Sequence, residues 1–202
     1  MIVKFIRRLL GGGASESAPP ASAARPPAAS GPKLLTYRGS ELGIKREQIS
    51  PAAMKTCEVL QRGGYKAFVV GGGVRDSLLG LQPKDFDVAT DATPEEVQAL
   101  FRRARIIGRR FKIVHVMFGR ETIETSTFRA LQTDAETDEH GRVLRDNVFG
   151  SQHEDALRRD FTINALYYDP IGDQVLDYLG GVADLKARRL RMIGDPATRY
   201  RE

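Results

Sequence analysis

Lys66-Ala67-Phe68-Val69-Val70 is an apolar run suited to a buried strand, and it stops at three successive glycines, Gly71-Gly72-Gly73. Val74 to Leu79 then has helical composition, so the triplet sits between a strand end and a helix start. A junction of this kind commits the chain to a strand–turn–helix unit. It also leaves backbone N–H groups unpaired at the positive end of a helix dipole, where an anion is favoured. Glycine lets the backbone approach a phosphate without a Cβ in the way. Arg75 adds a planar, two-pronged donor in the first helical turn. Three glycines alone are equally compatible with a plain tight turn. GxxxxGK[ST] and GxGxxG are both absent, which removes the Walker loop and the dinucleotide fingerprint.

Two carboxylates follow. In Asp85-Phe86-Asp87-Val88-Ala89, strand alternation places Asp85 and Asp87 on one face, about 7 Å apart, with Phe86 and Val88 on the other. Like charges at that spacing repel by about 2 kcal/mol at an effective dielectric of about 20, and a triphosphate beside them worsens the repulsion. A divalent cation relieves it. Mg²⁺ suits the task because it takes oxygen ligands and commonly binds through one or two carboxylates plus substrate phosphates. A lone DxD pair is ordinarily a solvated edge; behind a glycine turn and Arg75 it points to a site for metal ions and a nucleoside triphosphate. Residues 121–128 (ETIETSTF) are rich in β-branched side chains and read as a strand, with Glu124 as a third carboxylate and Arg129 at its end. Whether Glu124 faces the aspartates cannot be read from the sequence. Further on, residues 158–166 (RRDFTINAL) set two arginines, Asp160 and Asn164 ahead of an apolar segment, with Thr162 placed to cap a short helix.

Other chemistries find little support. There is no GxSxG element, and the single cysteine, Cys57, lies in an apolar helical stretch where packing is its expected role. One cysteine and three histidines do not make a structural zinc site, and one cysteine rules out an internal disulfide framework and fits a reducing cytoplasm. His115 lies in an alternating strand and reads as a structural histidine ahead of a general base.

The chain has 202 residues, a formal charge of +5 and 41% hydrophobic residues, enough for one core of ordinary size. Residues 1–50 hold eight Lys/Arg against three acids, so the whole excess lies there and residues 51–202 are balanced. Bulk charge thus gives little support for tight RNA binding by the domain itself. Residues 1–49 read as a basic, Pro/Ala/Gly-rich segment expected to be disordered. Its leading decamer, MIVKFIRRLL, is too short to span a bilayer and suits at most a weak contact with an anionic membrane surface or RNA. Residues 50–202 form the expected domain.

The coarse pattern is α+β. Ser50-Pro51 starts a helix that runs to Arg62 and is closed by Gly63-Gly64; Thr93-Pro94-Glu95-Glu96 starts another that reaches Phe101. Strands are expected near Ile106, over 113–118 and over 121–128. Residues 133–142 read as a mobile loop. Gly172-Asp173 joins a hairpin of 165–168 with 174–178, and 190–193 adds a last strand.

Taken together, GGGVRDSLLG (71–80), DFD (85–87), ETSTFR (124–129) and RRDFTINALYYD (158–169) resemble the class II branch of the polymerase-β-like nucleotidyltransferases, the group of bacterial poly(A) polymerases and tRNA CCA-adding enzymes. Residues 106–116 (IIGRRFKIVHV), 144–150 (LRDNVFG) and 193–196 (IGDP) favour the poly(A) polymerase side. The resemblance implies a polymerase-β-like head, a small mixed sheet flanked by helices with the carboxylates on its exposed face. It implies that Asp85 and Asp87 hold two Mg²⁺ ions, Mn²⁺ being the alternative ion, with Glu124 as the third acidic residue. It assigns Gly71, Gly72, Arg75 and Asp76 to nucleotide binding, with Arg129 near the same pocket. Arg158, Arg159 and Asn164 would contact ribose and phosphates, and Asp160 would be catalytic, ranked behind the DxD pair. The implied reaction adds AMP from ATP to RNA 3′ ends with release of pyrophosphate. A CCA-adding activity is the first alternative. The second comes from the family's neck and body regions, which continue past the point matching Glu202: the chain would then be a truncated nucleotide- or RNA-binding module.

Overall fold

A computed structural model of the chain describes residues 34–109, 111–131, 149–195 and 197. Residues 1–33 of the N-terminal segment expected to be disordered, including the decamer read as a weak membrane or RNA contact, the loop at 133–142 and most of LRDNVFG lie outside the described residues. Residues 34–49 of that segment are ordered. Along the chain come β1 (Leu35–Arg38), α1 (Pro51–Arg62), β2 (Ala67–Val70), α2 (Gly72–Leu78), β3 (Asp87–Thr90), α3 (Pro94–Leu100), β4 (Ala104–Ile107) and β5 (Ile113–Phe118). These are followed by β6 (Glu121–Thr127), α4 (Gln152–Leu157), β7 (Leu166–Asp169), β8 (Gln174–Asp177) and α5 (Gly181–Lys186). All eight of these strands join one sheet in the order β1-β8-β7-β2-β3-β6-β5-β4. Only β3 and β6 run parallel, so the sheet is mixed and the architecture α+β.

Local chemistry explains the helices that the sequence announces. The Ser50 hydroxyl accepts the Ala53 N–H at 3.0 Å, Pro51 occupies the first helical position, and Gly63 closes α1. Thr93 and Glu96 form a reciprocal capping box on α3. Ser50→Ala is expected to lower stability by about 1 kcal/mol. A melting curve should show a drop of roughly 2–4 °C, which Ser50→Thr should largely avoid. One face of α1 buries Ala52, Ala53, Thr56, Cys57 and Leu60. They join Val69, Val88, Val114, Val116 and Ile123 from the sheet and Val97 from α3 in the larger core. Cys57 is fully buried, and burial pushes its thiol far above the ordinary range, so it packs and does not react. Phe68, Val70, Phe128 and Tyr167, with Ala156 of α4, form a second core on the opposite face.

Several elements differ from expectation, each for a non-local reason. The sheet takes in residues ahead of Ser50, because Leu35–Arg38 pairs antiparallel with β8, far away in sequence. Gly72 and Gly73 belong to α2, leaving Gly71 alone as the turn. The ladder of β3 begins at Asp87, so Asp85 and Phe86 precede it. The segment 190–193 makes only an isolated bridge, Met192 to Phe161. Thr162 does not cap: its hydroxyl donates to Asp184 at 2.7 Å. Neither α4 nor α5 was anticipated. The start of α5 is fixed by Asp177, whose carboxylate accepts the N–H groups of Leu179, Gly180, Gly181 and Val182 at 2.8–3.1 Å.

Candidate active site

Residues directly opposite one another in a sheet share a face. In register, Tyr167 of β7 lies opposite Val70 of β2, Val70 opposite Asp87, and Asp87 opposite Glu124. Glu124 in turn lies opposite His115 of β5, and His115 opposite Arg105 of β4. The sheet thus carries one cross-strand row, Tyr167-Val70-Asp87-Glu124-His115-Arg105, with neighbouring strands about 4.8 Å apart. The adjacent row on the reverse face, Val69, Val88, Thr125 and Val114, is buried. The parallel pairing of β3 with β6 is therefore what brings the third carboxylate beside the second.

Asp85 joins this pair electrostatically. Residues 85, 86 and 87 alternate exposed, buried, exposed even though the ladder starts only at Asp87. Phe86 is the anchor: its ring packs so close to Gly73 that a Cβ there would lie 3.0 Å from it. Although Asp87 reaches solvent at its edge, the groups packed around its carboxyl strip part of its hydration. This burial first, then the charges of Glu124 and Asp85, pushes it above its ordinary value, while Arg159 pulls it back. Three carboxylates thus share one electrostatic neighbourhood with a guanidinium. The His115 Nε2 lies 3.6 Å from Glu124 Oε1, so the histidine read as structural stands at the edge of this group.

The cationic flank is built on α2, α4 and the turn into β7. Gly71 has φ +69° and ψ −138°, a conformation that disfavours any side chain. A Cβ there would sit between Arg159 and Asp87, 3.7 Å from Nη1 and 3.8 Å from Oδ2. Gly72 opens α2, where a Cβ would lie 3.5 Å from the Arg75 Nη2. Arg75 donates through Nε to Asp76 at 2.8 Å and through Nη1 to the Asn164 side-chain oxygen at 3.0 Å. Asn164 donates onward to Asp160 at 3.1 Å, and Asp160 also accepts the Phe161 N–H at 2.7 Å. Asp76, Arg75, Asn164 and Asp160 therefore form one hydrogen-bonded chain, and Asp160 is held within it.

Arg159 is fixed on three sides, donating to the Tyr167 hydroxyl, the Asn164 carbonyl and Asp155, each at 3.3 Å. Tyr167 donates to the same Asp155 oxygen at 2.6 Å, and the Arg129 N–H reaches the other oxygen at 3.2 Å. Buried Asp155 is thus a hub that sequence reasoning missed; its signal was the i,i+4 spacing of Asp155 and Arg159. The other two arginines serve the exit of β6. Arg158 donates to the Ala130 carbonyl at 2.9 Å, and the Arg129 guanidinium lies 4.9 Å from the centre of the Phe111 ring.

Among the described residues, no three His, Cys, Asp or Glu side chains converge to enclose a metal ion by themselves. A cation at Asp85 and Asp87 would take its remaining ligands from phosphate oxygens and water, which is the coordination Mg²⁺ prefers. An open cleft of about 470 Å³ reaches Asp85 and Phe86 from the side of Lys84, Arg120, Glu121 and Thr122.

The chain is similar to known proteins in both sequence and fold. Residues 67–191 match the family model described as the Poly A polymerase head domain. Poly(A) polymerase I of Escherichia coli O6:H1 is 50% identical over 182 residues, covering 87% of this chain and 39% of that protein. The CCA-adding enzyme of Bacillus pumilus is 39% identical, covering 74% of this chain and 36% of that enzyme. The solved structure of the Bacillus stearothermophilus CCA-adding enzyme in complex with CTP superposes with a TM-score of 0.60 at 35% identity, over 76% of this chain and 36% of that one. The chain thus spans about two fifths of the length of the curated relatives it matches. With the carboxylates of β3 and β6, the glycine turn and the RRDFTIN segment all falling inside the matched region, the chain belongs to the poly(A) polymerase head-domain family.

Proposed function

We propose that this head transfers AMP from ATP to the 3′-hydroxyl of RNA, without a template and with release of pyrophosphate. The observation that carries the reading is the β3–β6 register, which sets Glu124 beside Asp87 and next to the charge of Asp85. In the transfer, a bond forms between the RNA 3′-oxygen and the α-phosphorus, the bond to the β-phosphate oxygen breaks, and the hydroxyl proton is released. Asp85, Asp87 and Glu124 would hold two Mg²⁺ ions. Once bound, such ions lower the pKa of the attacking hydroxyl and neutralise charge on the leaving pyrophosphate. Arg159, locked by Asp155 and Tyr167, and Arg75, locked by Asp76 and Asn164, would supply fixed positive charge for the phosphate oxygens. No protein nucleophile is required. The lone buried thiol suits a cytoplasmic setting for this activity.

ATP and poly(A) synthesis are preferred over CCA addition because identity is higher, over more of the chain, to the poly(A) polymerase than to the CCA-adding enzyme. The CCA reading draws its support from the solved CCA-adding enzyme with CTP, which shares the fold. The experiment is to supply the chain with a 3′-hydroxyl RNA, Mg²⁺ and each nucleoside triphosphate in turn. Stepwise extension with ATP alone is expected. Use of CTP with arrest after a short fixed addition to tRNA would favour the CCA reading. Mg²⁺-dependent ATP binding with no pyrophosphate release would leave a nucleotide-binding module.

A further inference from the structure

We propose that the β4–β5 hairpin is the surface along which the RNA primer approaches the site, with Arg105 as a phosphate contact on the carboxylate row. This rests on the reading of that row as a nucleotidyl-transfer centre. The first support is local charge. Residues 51–202 are balanced overall, yet between Glu96 and Glu121 the sequence holds no acid and seven cations: Arg102, Arg103, Arg105, Arg109, Arg110, Lys112 and Arg120. Lys112 is paired with Glu95 at 2.9 Å, but the stretch still carries far more cations than acids, and such an excess is the footprint of a phosphate backbone.

The second support is placement. Arg105 lies two strands beyond Glu124 in the same cross-strand row, about 10 Å away. It is exposed, and no carboxylate among the described residues pairs with it. The hairpin's other face is occupied: Ala104, Ile106, Val114 and Val116 pack into the core that α3 also joins through Val97. This leaves Arg105, Ile107 and His115 on the face that carries the carboxylates. Ile107, 42% exposed, adds apolar surface beside Arg105, and Phe111, 40% exposed with its ring already against the Arg129 guanidinium, adjoins it, as apolar groups do on single-strand binding surfaces.

The third support is the direction of the reaction. In-line transfer puts the attacking and leaving oxygens on opposite sides of the α-phosphorus. Arg159 and Arg75 stand on the β2–β7 side of Asp87, where the departing pyrophosphate would be held. The 3′-hydroxyl must then arrive from the β5–β4 side.

The test measures, on the 202-residue chain in Mg²⁺, the binding of a fluorescent 3′-hydroxyl oligo(A) by anisotropy and of ATP separately. Arg105→Glu is expected to weaken RNA binding about tenfold and to reduce the log K against log salt slope by about 0.7, with ATP affinity and melting temperature unchanged. A 4-thiouridine placed next to the RNA 3′ end should crosslink within residues 104–118. Unchanged RNA affinity and slope in Arg105→Glu overturn the proposal. So does a crosslink confined to the cleft at Lys84 and Arg120, or an unaltered chain that binds ATP but no RNA. An unaltered chain that fails to bind ATP sinks the functional reading, and this proposal with it.

Discussion

Replacing Asp87 with asparagine is expected to lower nucleotidyl transfer at least about 10³-fold, and to leave the head as stable as before or more so. Two effects act in opposite directions. For catalysis, Asp87 is the carboxylate that Asp85 and Glu124 both crowd, so without it neither partner has a neighbour with which to share a cation. For stability, the sign follows from the shift. Burial, Glu124 and Asp85 raise the Asp87 carboxyl above its ordinary value of 3.8, and Arg159 only partly offsets them. The folded state therefore holds the proton more tightly than the unfolded chain does. Below the ordinary value both states are protonated and no penalty exists. As pH rises through the folded pKa, ionisation occurs against the fold, and the penalty stands in full at neutral pH without a cation. Asparagine removes that charge. Melting curves in chelator at pH 7 should place Asp87→Asn at or above the unaltered chain, and Mg²⁺ with ATP should raise the unaltered chain but not the variant. A variant that unfolds at pH 7 would make Asp87 a structural residue and remove the basis of the proposed chemistry.

What could be read in advance was what short-range chemistry decides. Ser50-Pro51 and the Thr93–Glu96 box set α1 and α3 because a cap satisfies its own helix from within three residues. The exposed–buried–exposed alternation at 85–87 was legible for the same reason, as was the hairpin across Gly172-Asp173. The site itself depends on distant partners. Nothing in ETIETSTF says that its strand lies parallel to β3 in a register that puts Glu124, and not Thr122 or Ser126, beside Asp87. The same ladder makes His115 a neighbour of Glu124, while periodicity alone left it an ordinary strand histidine. β1 escaped notice because its pairing partner, β8, comes near the other end of the described chain. Charge was misleading in a related way: the domain balances as a whole, and only the acid-free stretch from 97 to 120, which contains β4 and β5, shows that it is segregated.

Asp155→Ala should be the most damaging substitution outside the carboxylate row, and it would act through groups that Asp155 holds rather than through substrate. Its two oxygens accept from the Tyr167 hydroxyl at 2.6 Å, from Arg159 at 3.3 Å and from the Arg129 N–H at 3.2 Å. The Asp155 and Arg159 side chains are only 11% and 21% exposed, so water does not readily replace what is lost. Breaking a buried pair from one side leaves the other charge uncompensated and typically costs about 3–5 kcal/mol. For a head of this size that corresponds to a melting temperature roughly 10 °C lower. Asp155→Asn keeps an oxygen acceptor but not the charge and should fall between. The functional consequence is distinguishable from instability. Assayed well below the melting temperature of every variant, Asp155→Ala should still show weakened use of ATP, because Arg159 is no longer held beside Gly71 and Asp87. Adding Arg159→Ala to Asp155→Ala should then cost little more, since residues that act as a unit are non-additive. Additive losses would mean that Arg159 reaches its position without Asp155, and that the buried aspartate serves only the packing of Tyr167 and the β6 exit.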